Sequence, residues 1–241
     1  MSIARLRTII EESDNIVFFG GAGVSTESNI PDFRSSTGIY STYNGLEYPP
    51  ETILSYSFFK KHPDIFYDFY RNKLIYKDAK PNDAHIVLAE LEKRGKLKAI
   101  ITQNIDGLHQ MAGSTNVLEL HGSLYRNYCT KCHKSFSLDY VLEYEGVPLC
   151  DECRHIVRPD VVLYEEGLDM NVLRRSIDYI RNADVLIVGG TSLLVYPAAG
   201  LIDYYRGDKL ILINKSETHY DSRANLVFND SIGKVLREAV S

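Results

Sequence analysis

Ile3, Leu6, Ile9 and Ile10 recur at helical spacing near the start of the chain, and the pattern stops at Ser13-Asp14-Asn15. Ile16-Val17-Phe18-Phe19 then follow without alternation. A short apolar run of that kind predicts a strand buried on both faces, here running into Gly20-Gly21-Ala22-Gly23. Ala99-Ile100-Ile101, Val117-Leu118, Val185-Leu186-Ile187-Val188, Leu210-Ile211-Leu212-Ile213 and Leu226-Val227-Phe228 repeat the signature. Between them the period changes. Asn82 predicts an N-cap, followed by Ala84, Val87, Leu88 and Leu91 on one face, with Gly95 as the stop. Further helices are predicted from Asn171 to Asn182 and from Ile232 to the end. Strands alternating with helices predict an α/β fold, a doubly wound parallel sheet of Rossmann type.

Two segments break the alternation. Residues 32–80 are rich in aromatic and polar side chains, and residues 124–158 hold all the cysteines. Both are expected to form a smaller second domain, leaving 1–31, 81–123 and 159–241 to assemble a discontinuous nucleotide-binding domain. The stretch from Val185 to Ile202 carries no charge, but Gly189-Gly190, Tyr196-Pro197 and Gly200 interrupt it. It therefore predicts two buried pieces flanking a glycine turn, not a membrane helix. The segment Met1 to Arg7 has no apolar run of the export type, so a cytoplasmic location is expected.

Composition narrows the function classes. The chain has 241 residues, of which 44% are hydrophobic and 24% charged, which excludes disorder over most of its length. Lys plus Arg number 27 against 32 Asp plus Glu, a net charge of −5. No global basic field is available to attract nucleic acid, which is not expected as a direct ligand. Nothing in the sequence marks an oligomeric state.

The cysteines carry more. All four fall in two pairs, Cys129-x-x-Cys132 and Cys150-x-x-Cys153, separated by the 17 residues 133–149. That spacing predicts a four-thiolate zinc site, since each turn can aim two sulfurs at one ion. Two disulfides or a redox dithiol are the competing readings, and neither suits two such pairs in a chain without an export signal. With four protein ligands the ion has no open position and serves the fold alone. His133 and His155 flank the cysteines but are not needed as ligands.

Candidate chemistry gathers at strand ends. Gly21-Ala22-Gly23 follows the first strand, where backbone amides can close on a phosphate. The third glycine of the dinucleotide fingerprint is missing, because the position is Thr26. Gly189-Gly190-Thr191-Ser192 ends a second strand, Thr102-Gln103-Asn104-Ile105-Asp106 a third, and Glu119-Leu120-His121-Gly122 a fourth. Ligands of open α/β sheets collect at such carboxyl ends, and an imidazole there suits proton transfer near neutral pH. His62, His85 and His219 read as structural.

Taken together, these residues resemble a known family. The run from Gly21 to Arg34, the run Thr102 to His109, Leu120-His121-Gly122, Gly190-Thr191-Ser192-Leu193, Val195 to Ala199 and Ile213-Asn214 match, in order, the signatures of the sirtuins. These are NAD-dependent protein deacylases, and the chain resembles their small bacterial type. The zinc pairs stand between the His-Gly motif and Arg158-Pro159, as in that family. The resemblance implies that NAD lies between the Rossmann-like and zinc-bearing domains, with an acyl-lysine protein or peptide beside it. Ala22, Thr26 and Arg34 would then hold phosphates and ribose, while Phe33, Ile105 and Asp106 form the nicotinamide pocket. Gln103, Thr191, Ser192, Asn214 and Ile232 would meet the ribose and adenine ends. Asn104 would orient the nicotinamide ribose or its water, and His121 would act as general base on the ribose hydroxyls. Val162, Leu163, Glu165 and Val195 would line the peptide. Nicotinamide departs, the acyl oxygen attacks the ribose, and the products are free lysine, nicotinamide and acyl-ADP-ribose.

The chain departs from the family pattern at Asn29 and Gly20, both expected to be benign, and at Glu165, where many members have Gly. Glu165 is expected either to favour peptides with basic flanks or to point to solvent. Desuccinylating members carry Tyr-x-x-Arg in the first insert, and this chain has Tyr70-x-x-Lys73. Lys73 lacks the guanidinium fork that grips a carboxylate, so deacetylation is expected ahead of removal of succinyl or malonyl groups. Tyr70 and Lys73 are otherwise ordinary helix-surface residues. Protein ADP-ribosylation and a non-catalytic NAD sensor are the rival functions.

Overall fold

The computed structural model describes residues 3–35, 38–42 and 47–241; the first two residues of the N-terminal segment and parts of the 32–80 insert lie outside that set. Every apolar run forms a strand: β1 (Ile16–Gly20), β2 (Leu97–Thr102), β3 (Val117–Glu119), and, beyond a second sheet, β7 (Val185–Gly189), β8 (Leu210–Ile213) and β9 (Leu226–Phe228). They build a six-stranded sheet in the order β3-β2-β1-β7-β8-β9, with each of these pairings parallel.

The runs lack alternation because both faces are covered. On one face Ile16, Phe18, Ile100, Ile187 and Ile211 pack under helices α1 (Ile3–Glu12), α6 (Asp83–Lys93) and α10 (Ile232–Val240). On the other, Val17, Phe19, Ile101, Leu186 and Leu212 meet α9 (Met170–Asn182) and the turn Ala198–Tyr204. Burying an aliphatic side chain of this size contributes about 1.5–3 kcal/mol, so the two layers carry much of the fold's stability. Asn82 caps α6 as its sequence predicts, accepting from the Ala84 amide at 2.9 Å, while its own amide donates to Val24 carbonyl and Ser28 Oγ at 2.8 and 3.0 Å. The cap thus also holds the turn after β1.

The two segments that break the alternation pack together. The first holds α2 (Ile39–Thr42), α3 (Pro50–Ile53), α4 (Tyr56–Lys61) and α5 (Pro63–Lys73). The second contributes α8 (Leu138–Glu143) and an antiparallel sheet in the order β5-β4-β6, from β4 (Gly122–Cys129), β5 (Ser135–Phe136) and β6 (Val157–Val161). Their shared core includes Phe59, Phe66, Tyr67, Tyr70, Leu124 and Val157. The ladder pairs Gly122 with Val161, which carries the small sheet beyond residues 124–158 at both ends. Among the described residues no helix is long and apolar enough to cross a membrane.

Gly122 sets the junction between the sheets. It sits at φ 80, and a β carbon there would lie 1.8 Å from the Asp160 carbonyl oxygen. Gly122→Ala should therefore cost about 3 kcal/mol in urea unfolding, from left-handed strain plus a forced separation of β4 and β6. A variant with an unchanged midpoint would show that the approach is not required.

Candidate active site

The strand ends are laced to one another. Gly21 N–H donates to Gly189 carbonyl at 3.2 Å and Gly23 N–H to Gly190 carbonyl at 2.8 Å, joining the turns after β1 and β7. A β carbon on Gly23 would fall 2.7 Å from Gly190 Cα, and one on Gly190 2.3 Å from Val24 N. Gln103 N–H donates to Gly20 carbonyl at 2.9 Å, and its side-chain amide to Thr191 Oγ1 at 3.1 Å. Thr191 N–H reaches Asn214 Oδ1 at 2.9 Å, tying in β8. Leu120 N–H donates to Thr102 carbonyl at 2.9 Å, which brings the His121 turn to the same edge.

Ser25, absent from the predicted site residues, is the hub of the first turn. Buried to 1% exposure, it donates to Asp106 Oδ2 at 2.6 Å and accepts from the Asn104 side-chain amide at 3.0 Å. Only its place inside the Gly21–Arg34 run could have marked it, because serine carries no periodicity signal. Asp106 Oδ1 accepts from Leu108 N–H, at the start of α7 (Leu108–Met111), at 2.9 Å. Burial pushes the Asp106 carboxyl above its usual range, and the Ser25 and Leu108 donors oppose that shift.

His121 Nδ1 lies 3.0 Å from the Gln103 carbonyl. A carbonyl only accepts, so Nδ1 carries the proton and a neutral ring keeps the Nε2 lone pair for a proton transfer. Burial lowers the His121 pKa below its ordinary value, against the Gln103 contact, which favours the charged form. The neutral ring is thus the resting form at neutral pH.

Other candidates distribute around this core. Ala22 and Thr26 stand in the turn after β1, with Thr26 Oγ1 donating to Gly23 carbonyl at 2.9 Å. Asn29 adopts φ 62, a left-handed conformation that Asn tolerates well. Phe33 and Ile105 pack against the small-domain core, and the exposed Arg34 holds its guanidinium 5.6 Å from the Tyr40 ring. Ser192 is exposed and Val195 half-buried. The buried Asn214 side-chain nitrogen has no protein partner, a donor suited to a bound nucleotide. Ile232 is buried at 3% exposure under the Gly189-Gly190 turn, so it supports the site's floor from within the core.

One expectation changes. Tyr70 is not a surface residue: it is 1% exposed and stacks on Phe66 at 5.7 Å, because its face of α5 turns into the aromatic core. Lys73, one turn on, is half-buried. Glu165 is exposed, in keeping with one of the two expectations, and both its carboxylate oxygens accept from Ser57 at 2.9 Å.

The four cysteines converge, with all sulfurs within 4.8 Å of one another. Individual separations are 3.3 Å (Cys129–Cys153), 3.5 Å (Cys132–Cys153) and 3.6 Å (Cys132–Cys150). Tetrahedral zinc with 2.3 Å bonds spaces its sulfurs by about 3.8 Å, whereas a disulfide needs about 2.05 Å. The set fits zinc. His155 Nδ1–H instead donates to Cys153 carbonyl at 2.8 Å, and His133 stacks on Tyr128 at 6.3 Å.

The Sir2 family model matches residues 21–197. An NAD-dependent protein deacetylase of Clostridium acetobutylicum is 64% identical over 239 residues, covering 99% of this chain and 98% of its own. A Sir2 structure with a p53 peptide and NAD+ superposes with a TM-score of 0.86 at 41% identity, covering 98% of this chain and 96% of its own. Another, with deacetylated p53 peptide and 3'-O-acetyl ADP ribose, gives 0.90 at 40% identity, covering 99% and 97%.

The purified protein should carry one zinc ion per chain. Cys150→Ser should abolish metal binding and lower the thermal midpoint by several degrees, because β4 and β6 lose the staple at their far ends. Full zinc content in that variant, read by elemental analysis, would refute the four-thiolate site.

Proposed function

This chain belongs to the Sir2 family, and from that we propose how its residues share the work of an NAD-dependent protein lysine deacetylase. The enzyme consumes NAD and releases nicotinamide, deacetylated lysine and O-acetyl-ADP-ribose. The observation that carries the division of labour is the 3.0 Å contact of His121 Nδ1 with the Gln103 carbonyl, which leaves the Nε2 lone pair to act as a base.

The turn residues Ala22 and Thr26, with Arg34, bind the phosphates and ribose. Gln103, Thr191, Ser192 and Asn214 hold the ribose and adenine end, on a floor formed by Ile232. Phe33, Ile105 and Asp106 enclose the nicotinamide, and the Ser25 hydroxyl fixes Asp106 and Asn104 relative to each other. Asn104 orients the nicotinamide ribose. His121 takes the proton from the ribose hydroxyl. Val162, Leu163, Glu165 and Val195 border the acyl-lysine peptide. Tyr70, enclosed in the core, gives no support to a preference for acidic acyl groups. Free thiols assembled as a metal-ligand set suit the reducing cytoplasm, where we place the enzyme.

The test is nicotinamide release from NAD with matched acetyl-, succinyl- and unmodified-lysine peptides, products read by mass spectrometry. Acetyl-lysine should give the fastest release, with O-acetyl-ADP-ribose. Faster release with succinyl-lysine would make Lys73 a specificity residue, and release only with label transferred to protein would make the enzyme an ADP-ribosyltransferase. His121→Ala should remove turnover while retaining NAD binding by calorimetry. As the base must be neutral and its pKa is lowered from 6.5, the acid limb of kcat/KM should lie below pH 6.5. An acid limb above that value would contradict the assignment.

A further inference from the structure

The first four amide donors of α4 all find acceptors, and two of those acceptors belong to a distant segment. Tyr56 N–H donates to Tyr164 carbonyl at 3.0 Å and Ser57 N–H to Glu165 Oε2 at 2.9 Å. Phe58 N–H reaches Ser55 Oγ at 3.3 Å and Phe59 N–H the Ser55 carbonyl at 3.0 Å. The Phe59 bond begins the helix's own ladder, whereas the three donors before it are orphaned unless something outside the helix meets them. Glu165 uses its other oxygen as well, accepting from Ser57 Oγ at 2.9 Å. Contact runs both ways, since Tyr164 N–H donates to Leu54 carbonyl at 3.0 Å.

Glu165 holds this position at φ 77. A non-glycine residue is strained there, whereas glycine adopts that backbone freely. The carboxylate contacts offset that strain.

The same segment leads to the reaction centre. Val162 N–H donates to the His121 carbonyl at 3.0 Å. Glu166 accepts from Leu163 N–H at 2.9 Å and from Arg158 at 2.7 and 2.8 Å. The Arg158 guanidinium in turn lies 5.8 Å from the Tyr56 ring and 5.5 Å from Phe59, both on α4. One continuous set of contacts therefore joins Ser57, residues 162–166 and His121.

We propose that Glu165 is a positioning residue for the acyl-lysine peptide: it fastens residues 162–166 to the start of α4 and so fixes one wall of the peptide cleft. The proposal rests on the deacetylase reading, with Val162 and Leu163 against the peptide. It assigns Glu165 a geometric role, because its carboxylate is tied at both oxygens to Ser57; the charge that remains is what the paired peptides test.

Steady-state nicotinamide release would be compared for the wild type, Glu165→Gly and Glu165→Gln, using one acetyl-lysine peptide with basic flanks and one with neutral flanks. Glu165→Gly should raise KM for both peptides by the same factor, about three- to fivefold for the loss of two exposed charge-assisted hydrogen bonds. kcat at saturating peptide and KM for NAD should hold. Glycine suits the backbone at this position, so unfolding does not explain the change. Glu165→Gln can bond the same two Ser57 atoms through its oxygen and amide, and should restore KM. A glycine variant with wild-type KM, or one with kcat and both KM values equally impaired, would overturn the proposal. So would a glutamine variant that loses affinity only for the basic peptide, the signature of charge steering. A wild type that releases no nicotinamide with any acyl peptide would instead remove the deacetylase reading, and the proposal with it.

Discussion

Gly23 and Gly190 meet backbone to backbone, and no β carbon fits on either side of that contact. The meeting point is where the sheet changes direction, with β2 and β3 on one side of β1 and β7 to β9 on the other. Crevices open at such switch points because successive connections leave toward opposite faces. The close approach places Ser25 two residues past one glycine and Thr191 immediately after the other. Gln103 then bridges Thr191 to the His121 turn through its side-chain amide and backbone carbonyl. The site is thus a consequence of packing two turns without side chains, onto which polar residues are hung in sequence order.

Burial acts on two titratable groups of this edge toward their neutral forms, upward for Asp106 and downward for His121. The protein answers differently in the two cases. Asp106 receives two donors, from Ser25 and Leu108, which hold its carboxylate in place. His121 receives an acceptor, which fixes a tautomer and leaves the second ring nitrogen open. A similar economy governs the small domain, where a four-sulfur cluster and an aromatic core support the sheet whose first residue follows His121.

The large sheet was legible because strands covered on both faces read as unbroken apolar runs, and the helices between them keep a single buried face. The zinc set was legible from spacing alone, since four thiolates in two turns have few other uses. Side-chain roles that depend on tertiary contact were less so. Ser25 looks like any serine in a turn until Asp106 and Asn104 arrive from another strand. Tyr70 has the same helical spacing whether it faces water or the aromatic core, and only packing against Phe66 decides. Glu165 could be recognised as a departure, but its left-handed backbone and its bond to a helix start more than a hundred residues earlier in the chain are products of the fold.

If the Gly23–Gly190 contact creates the nucleotide crevice, calorimetric NAD titration of Gly23→Ala will register its loss. The chain has no tryptophan, which favours a label-free method. The variant should be folded and zinc-loaded, with NAD affinity lower by at least about tenfold, as the β carbon drives the two turns apart and unseats Ser25 and Thr191. Wild-type affinity in that variant would contradict it.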